Sequence, residues 1–290
     1  MNLALQIFHK LRTALPRSYR IAGHVIDLPA GHRLDWYRIR FSRYGEPIRE
    51  VSEVLAAKYP AFTAIDIGAN IGDTAALIVG SNDVPVLCVE GNEKFLPFLL
   101  RNLSRISQRA EIAASYVGAG AVVGRVRVEA GTARIEVKEG ESPVRTQTLP
   151  DIVEEHPRFG NSRLLKIDTD GFDSKIILSS LDFIATLKPV IFVEFSPGFN
   201  EQEGRECQEM LEALRSVGYC RFHVFDNFGN HMLCLRDDEL HQMRSLSAYV
   251  KSTLRDLRPA LFYYDICATT ADDIDLSDAL RRRYDGDRAP

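Results

Sequence analysis

The sequence predicts an α/β fold: a mostly parallel β-sheet with helices on both faces and a β-hairpin inserted after its third strand. Two observations predict it. From Phe62 onward, short β-branched runs alternate with stretches of helical period, the pattern of strands joined by helical crossovers. The first of these runs, Ala64-Ile-Asp-Ile67, passes through a glycine-rich turn straight into a helix, the entry unit of a doubly wound sheet.

Residues 1–60 read as an N-terminal helical cap, ending in a helix from Glu46 to Tyr59 with Ile48, Val51, Val54 and Leu55 on one face. The expected strands are Thr63–Ile67, Pro85–Val89, Ala110–Ala114, Leu164–Ile167, Val190–Phe195, Arg221–Asp226, Asn230–Leu235 and Leu261–Ala268. Helices are expected over Asp73–Val79, over Lys94–Ser107 with Leu99, Asn102, Leu103 and Ile106 at three-and-four spacing, and over Gln202–Val217, stopped by Gly218. Residues 115–150 interrupt this rhythm. Gly118, Gly120, Gly124, Gly131 and Gly140 punctuate two β-rich runs, Val122–Val128 and Ala133–Val137, which read as the inserted hairpin. Phe222–Leu235 is a second hairpin turning at Asp226-Asn-Phe-Gly229. Residues 61–270 then form one domain, and residues 271–290 a C-terminal tail with a solvated Arg281-Arg-Arg283.

The 290 residues are 45% apolar and 26% charged, with 36 Lys and Arg against 40 Asp and Glu and a net charge of −4. That composition supports one sizeable core and excludes collagen-like, disordered and disulfide-scaffold classes. Without a basic excess to neutralise a phosphate backbone, no nucleic-acid partner is expected. Cys88, Cys207, Cys220, Cys234 and Cys267 include no closely spaced pair, so they read as reduced thiols of a cytoplasmic protein and not as zinc ligands. The apolar stretch Leu3–Phe8 is too short for a signal peptide and reads as a helix packed on the domain. No run approaches the roughly 20 residues that cross a bilayer, so no transmembrane segment is expected.

The most specific local feature is Asp66-Ile-Gly-Ala-Asn-Ile-Gly-Asp73, a strand, a turn and a helix start. Gly68 and Gly72 permit a tight turn and close approach of a ligand, and the N–H groups and dipole of the following helix favour an anionic group. A dinucleotide fingerprint needs a second glycine where this chain has Asn70, so pyrophosphate is disfavoured. S-adenosyl-L-methionine has no pyrophosphate, and its ammonium would suit Asp66 as acceptor. Glu90 ends the next strand 22 residues after Gly68, the place of a carboxylate that clamps ribose hydroxyls. Ser115 and Tyr116, after the third strand, are placed to contact adenine.

Asp66–Asp73, Val89-Glu-Gly-Asn92 and Leu165-Lys-Ile-Asp-Thr-Asp-Gly-Phe-Asp173, with Tyr116-Val-Gly118 and Val190-Ile-Phe-Val-Glu-Phe195, resemble the successive motifs of the FkbM family of S-adenosylmethionine-dependent methyltransferases. The resemblance covers about residues 44–270. It implies a class I methyltransferase (Rossmann-like) fold with a seven-stranded sheet of order 3-2-1-4-5-7-6, and O-methylation of hydroxyls on sugars or natural products. The residues assigned to the cosubstrate are Asp66, Gly68, Ala69, Asn70, Gly72 and Asp73 in the turn, Glu90, Gly91 and Asn92 after the second strand, and Ser115, Tyr116 and Asp168. Two departures from the family pattern are Asp170, where many members have Glu, and Gly91, where Pro is frequent. The second is expected to be silent.

In open α/β sheets the ligand crevice lies beyond the carboxyl ends of the strands. There Asp168, Asp170 and Asp173 follow the fourth strand and Glu194 ends the fifth. Methyl transfer to an alcohol benefits from a general base, and the candidates in order are Asp168, Glu194 and Asp170, with His223 as an outside candidate. Lys166 is expected to pair with Glu194. A divalent metal ion shared by Asp168 and Glu194 is a variant, not favoured because no third oxygen ligand is evident. In the cap, Arg38, Arg40, Arg43, Tyr44 and Glu46 either line the pocket or form a solvated face. The reading is an S-adenosylmethionine-dependent O-methyltransferase acting on a small-molecule or glycan acceptor. Competing readings are an NAD-dependent oxidoreductase using the same turn and a non-catalytic S-adenosylmethionine-binding protein. Oligomeric state is not legible.

Overall fold

The computed structural model describes residues 14–80, 82–118, 122–129, 132–137, 143–144, 146–169, 171–198, 201–255 and 261–286. The first described element is an antiparallel hairpin, β1 (Arg17–Ile21) and β2 (His24–Leu28), followed by α1 (Leu34–Arg40) and α2 (Glu46–Lys58). The region expected to be a helical cap therefore contains a hairpin. Its strands are five residues each and turn at Ala22-Gly23, both at positive φ, a mirror-image turn without the Asn-Gly that advertises one.

The parallel sheet follows: β3 (Ala64–Ile67), α3 (Asp73–Val79), β4 (Val86–Val89), α4 (Leu96–Ile106) and β5 (Glu111–Ala113). A short β6 (Tyr116–Val117) leads to the inserted hairpin β7 (Val122–Glu129) and β8 (Thr132–Val137), antiparallel as expected, and then to β9 (Pro143–Val144), β10 (Thr146–Gln147) and α5 (Leu149–Glu155). Next come β11 (Leu164–Ile167), α6 (Asp173–Ser179), α7 (Leu181–Leu187), β12 (Val190–Phe195) and α8 (Glu201–Ser216). β13 (Tyr219–Asp226), β14 (His231–Arg236), α9 (Met243–Arg255), β15 (Tyr264–Thr270) and α10 (Ile274–Gly286) complete the order.

The main sheet runs β5-β4-β3-β11-β12-β15-β13, which is the order 3-2-1-4-5-7-6, with β14 as an eighth strand at the edge. β15 is antiparallel to β12 and β13, and β14 pairs antiparallel with β13 through the turn at Asp226–Gly229. The seven strands that the resemblance implies are thus joined by the second arm of the hairpin expected over Phe222–Leu235. Strands β3, β4 and β11 are buried at every residue, as strands covered on both faces must be.

One core packs α5, α6, α8 and α9 on one sheet face; the other packs the N-terminal hairpin, α2, α3, α4 and α10 on the opposite face. α10 corrects the reading of residues 271–290 as a tail. Its Leu276, Leu280 and Tyr284 are buried, while Arg281, Arg282 and Arg283 face outward, Arg283 pairing with Glu53.

Candidate active site

The glycine turn is built by backbone rather than side chains. Gly68, Asn70 and Gly72 all have positive φ, and the Gly68 and Ala69 amides bond the Val89 carbonyl. A Cβ on Gly68 would lie 1.8 Å from the Asp168 carbonyl oxygen, so the ends of β3 and β11 meet only because residue 68 has no side chain. Gly72 turns the chain as expected but does not face a ligand cleft. It faces the α4 core, where a Cβ would meet Leu99 at 3.0 Å, and Ala69 is likewise buried.

A first cleft of about 580 Å³ opens beyond the ends of β3, β4 and β5. It gathers Gly68, Asn70, Glu90, Gly91, Ser115, Tyr116 and Asp168 from the predicted set. Its apolar wall, Val89, Phe95, Phe172 and Ile176, was given no site role from the sequence, although Val89 and Phe172 stand in the quoted motifs. Glu90 is buried; its Oε2 accepts from the Asn70 amide at 2.8 Å and its Oε1 from the Asn92 amide at 2.6 Å. Burial pushes this carboxyl up from its ordinary range, while those two amides pull it down. Asn92 contributes that amide from the backbone, and its side chain turns away to accept from the Lys94 amide. Gly91 is not silent: a Cβ there would lie 2.4 Å from Cγ of Tyr116, whose ring covers the bare backbone.

A second cleft of about 990 Å³ lies on the cap side and shares Gly68, Asn70 and Asp168 with the first. Its polar wall includes Asp73, Lys166 and Glu194, and its aromatic wall Tyr37, Tyr44, Phe228, Phe262 and Tyr263. An adjoining cleft of about 600 Å³ shares Tyr44, Asp73, Lys166, Asp168 and Tyr263, and adds Arg38 and Asp265. Burial raises the Asp73 and Asp265 carboxyls and the Tyr44 and Tyr263 phenols. Of the cap residues considered, Tyr44 and Arg38 line these clefts, Arg38 donating to the Tyr44 carbonyl and Glu46. Arg43 forms a two-pronged pair with Glu50, and Arg40 is exposed.

Three expectations change. Asp66 is fully buried and lines neither cleft; it pairs with Lys166 at 3.0 Å instead of facing a ligand. Lys166 pairs with Asp66, and with Asp168 at 3.5 Å, rather than with Glu194, whose Oε1 accepts from Ser196 Oγ. His223 lies in the core, bonded to Ser277 at 2.8 Å and beside His231, away from both clefts; burial pushes its imidazole down to about 3. Asp170 lies outside the described residues. Tyr263 and Asp265 escaped notice because β15 is antiparallel, so its amino end, not its carboxyl end, reaches this rim beside Glu194.

A sheet of this order, with its clefts at the carboxyl ends of the parallel strands, is that of a class I, S-adenosylmethionine-dependent methyltransferase. The chain belongs to the FkbM methyltransferase family: the sequence model described as Methyltransferase FkbM domain matches residues 66–220, just over half of it. This assignment replaces the oxidoreductase reading of the turn. Among solved structures, the chain is similar to a methyltransferase FkbM from Methylobacillus flagellatus, with 12% identity over 71% of this chain and 43% of that one and a TM-score of 0.37. It therefore spans less than half the length of that protein. It is also similar to cofactor-bound Rv0187 from MTB (14% identity, 81% and 89% covered, TM-score 0.42) and to Aeropyrum pernix fibrillarin with bound S-adenosyl-L-methionine (9%, 72% and 66%, 0.41). No curated protein sequence matches the chain.

Proposed function

We propose that the protein transfers the methyl group of S-adenosylmethionine to a hydroxyl of a sugar, glycan or secondary metabolite, with the donor in the first cleft and the acceptor in the second. The observation that carries this reading is the shared wall of Gly68, Asn70 and Asp168, across which groups held in the two clefts meet. The first cleft suits the donor. Two of the roughly four lone-pair positions of Glu90 are taken by amides, which fixes the carboxylate and leaves acceptors for ribose hydroxyls. Val89, Phe95 and the Tyr116 ring form an apolar slot for adenine, while the turn backbone at residues 68–70 faces the amino-acid end. When bound, S-adenosylmethionine supplies an electrophilic methyl group on a cationic sulfur.

Asp168 is the proposed base. It borders both clefts, its side chain is half exposed, and a carboxylate there can take the proton of an acceptor hydroxyl as the oxygen is alkylated. Glu194 is second, oriented by Ser196 in the wall of the acceptor cleft. Asp73 faces the acceptor side instead of the donor. The aromatic wall suits the C–H faces of a ring-shaped acceptor.

Residues 61–270 are taken as the catalytic domain, with residues 1–60 as a cap that supplies His32, Tyr37 and Tyr44 to the acceptor cleft. The free cysteines, three of them buried, suit the cytoplasm. No helix among the described residues is long and apolar enough to cross a membrane. Asp168 and Glu194 make an incomplete ligand set: among the described residues no group of three or more His, Cys, Asp or Glu is placed to hold a metal ion. On the metal-free reading EDTA should leave turnover unchanged; a loss restored by Mg²⁺ would reinstate the metal.

The test of the reaction is mass spectrometry of glycans incubated with the protein and methyl-labelled S-adenosylmethionine. One added methyl on a hydroxyl is expected, and Asp168→Asn should lower kcat by roughly 10²- to 10⁴-fold. Label on nitrogen or carbon would overturn O-methylation.

A further inference from the structure

We propose that Asp66 is a positioning residue that acts through Lys166: by holding the Lys166 charge, it leaves the Asp168 carboxylate as the net negative charge at the wall between the clefts, where it favours a cationic ligand over a neutral one. The inference rests on the donor reading above and assigns a role to a residue that touches neither cleft.

Three observations support it. First, Asp66 of β3 and Lys166 of β11 are register partners on adjacent parallel strands, and Lys166 also reaches Asp168, which follows directly on the end of β11. Second, the three charges are ranked by distance and burial. Lys166 Nζ lies 3.0 Å from Asp66 Oδ1 and 3.5 Å from Asp168 Oδ2, with side-chain exposures of 5% for Lys166, 0% for Asp66 and 49% for Asp168. Coulomb attraction rises as distance and effective dielectric fall, so the shorter, drier pair is the stronger. Third, burial works against the Lys166 ammonium, yet the Asp66 and Asp168 carboxylates hold its proton well above the usual lysine range, so it remains a cation.

Within this triad two carboxylates and one ammonium leave one net negative charge, carried on the exposed member, Asp168; Asp73 and Asp265 on the same wall are carboxyls that burial pushes up, toward the neutral form. Without Asp66, the remaining ion-pair partner of that ammonium among the described residues would be the half-exposed Asp168 carboxylate, which it would neutralise. S-adenosylmethionine is cationic at sulfur and S-adenosylhomocysteine is not. A wall that keeps its negative charge therefore holds the donor more firmly than the demethylated product.

Calorimetric titration of S-adenosylmethionine and S-adenosylhomocysteine into wild type, Asp66→Asn and the double variant Asp66→Asn/Lys166→Met tests this without any acceptor. In wild type the cationic ligand should bind more tightly. Asp66→Asn should reduce that affinity ratio roughly tenfold, with S-adenosylhomocysteine affinity within about twofold of wild type. The double variant removes the buried pair as a unit, a change that proteins often tolerate, and frees Asp168 again, so its ratio should return to the wild-type value or exceed it. This rescue would not follow from a purely structural role. An unchanged ratio in Asp66→Asn, or a double variant that has lost the preference, overturns the proposal; a double variant that keeps it supports the proposal even where the single variant does not fold. Wild type that binds neither ligand overturns the donor reading itself.

Discussion

At position 91 the absent side chain seats the ring of Tyr116, and at position 68 it lets two strand ends touch. Gly91→Ala should keep the fold and displace Tyr116, weakening S-adenosylmethionine binding about tenfold by loss of an aromatic contact; equal affinity would remove Tyr116 from the donor site. The sequence exposed the turn and Glu90 because their chemistry is local: a strand, two glycines, and an acid at a strand end. It misassigned Asp66 for a reason of parity. Residue 66 projects from the sheet face into the core beside Lys166 and does not face the rim, and only strand pairing reveals which lysine answers which acid. Gly72 makes the expected turn, but its direction, like that of Asn92, is set by the packing of α4 and by the bonds to Glu90.

The strands buried on both sides were legible, as were the striped helices over 46–58, 96–106 and 201–216; the last helix was not. Each parallel strand of the sheet was read within two residues of its bounds, since continuous apolar runs have few other places to go. α10 was read as tail because its outward face, Arg281-Arg-Arg283, dominates its composition, while Leu276, Leu280 and Tyr284 occupy one face at four-residue spacing. Leu280 is fully buried against the cap side of the sheet, so Leu280→Ala should lower the unfolding free energy by about 2–4 kcal/mol, read from urea denaturation. A change below about 0.5 kcal/mol would return the helix to the status of an appendage. The N-terminal hairpin is tied down by Asn102 of α4, whose side chain bonds both the Asp27 backbone and the Ile71 carbonyl of the glycine turn. That contact spans 75 residues and has no local signature.

For the whole molecule, topology decides what meets at the rim. Five parallel strands bring Gly68, Glu90, Asp168 and Glu194 there by their carboxyl ends, and the antiparallel β15 adds Tyr263 and Asp265 by its amino end. Global stability also carries a pH signature from the core. His223 is buried and neutral, its imidazole pushed by burial from 6.5 down to about 3. Its contribution is therefore complete above about pH 6.5 and is lost as pH falls toward 3, because the unfolded chain takes up the proton first. Asp173, raised to about 6 by burial, acts in the opposite sense, so the comparison must be between proteins that differ only at residue 223. Between pH 6 and 4 the unfolding free energy of wild type should fall more steeply than that of His223→Gln by about 1.4 kcal/mol per pH unit; parallel slopes would contradict the buried neutral imidazole.

The account stands or falls on the first cleft. Calorimetric titration of S-adenosylmethionine should give one site per chain in wild type, at least about tenfold weaker binding in Glu90→Ala, and none in Gly68→Val, where a side chain would collide with the Asp168 carbonyl. Wild-type affinity in both folded variants would contradict it.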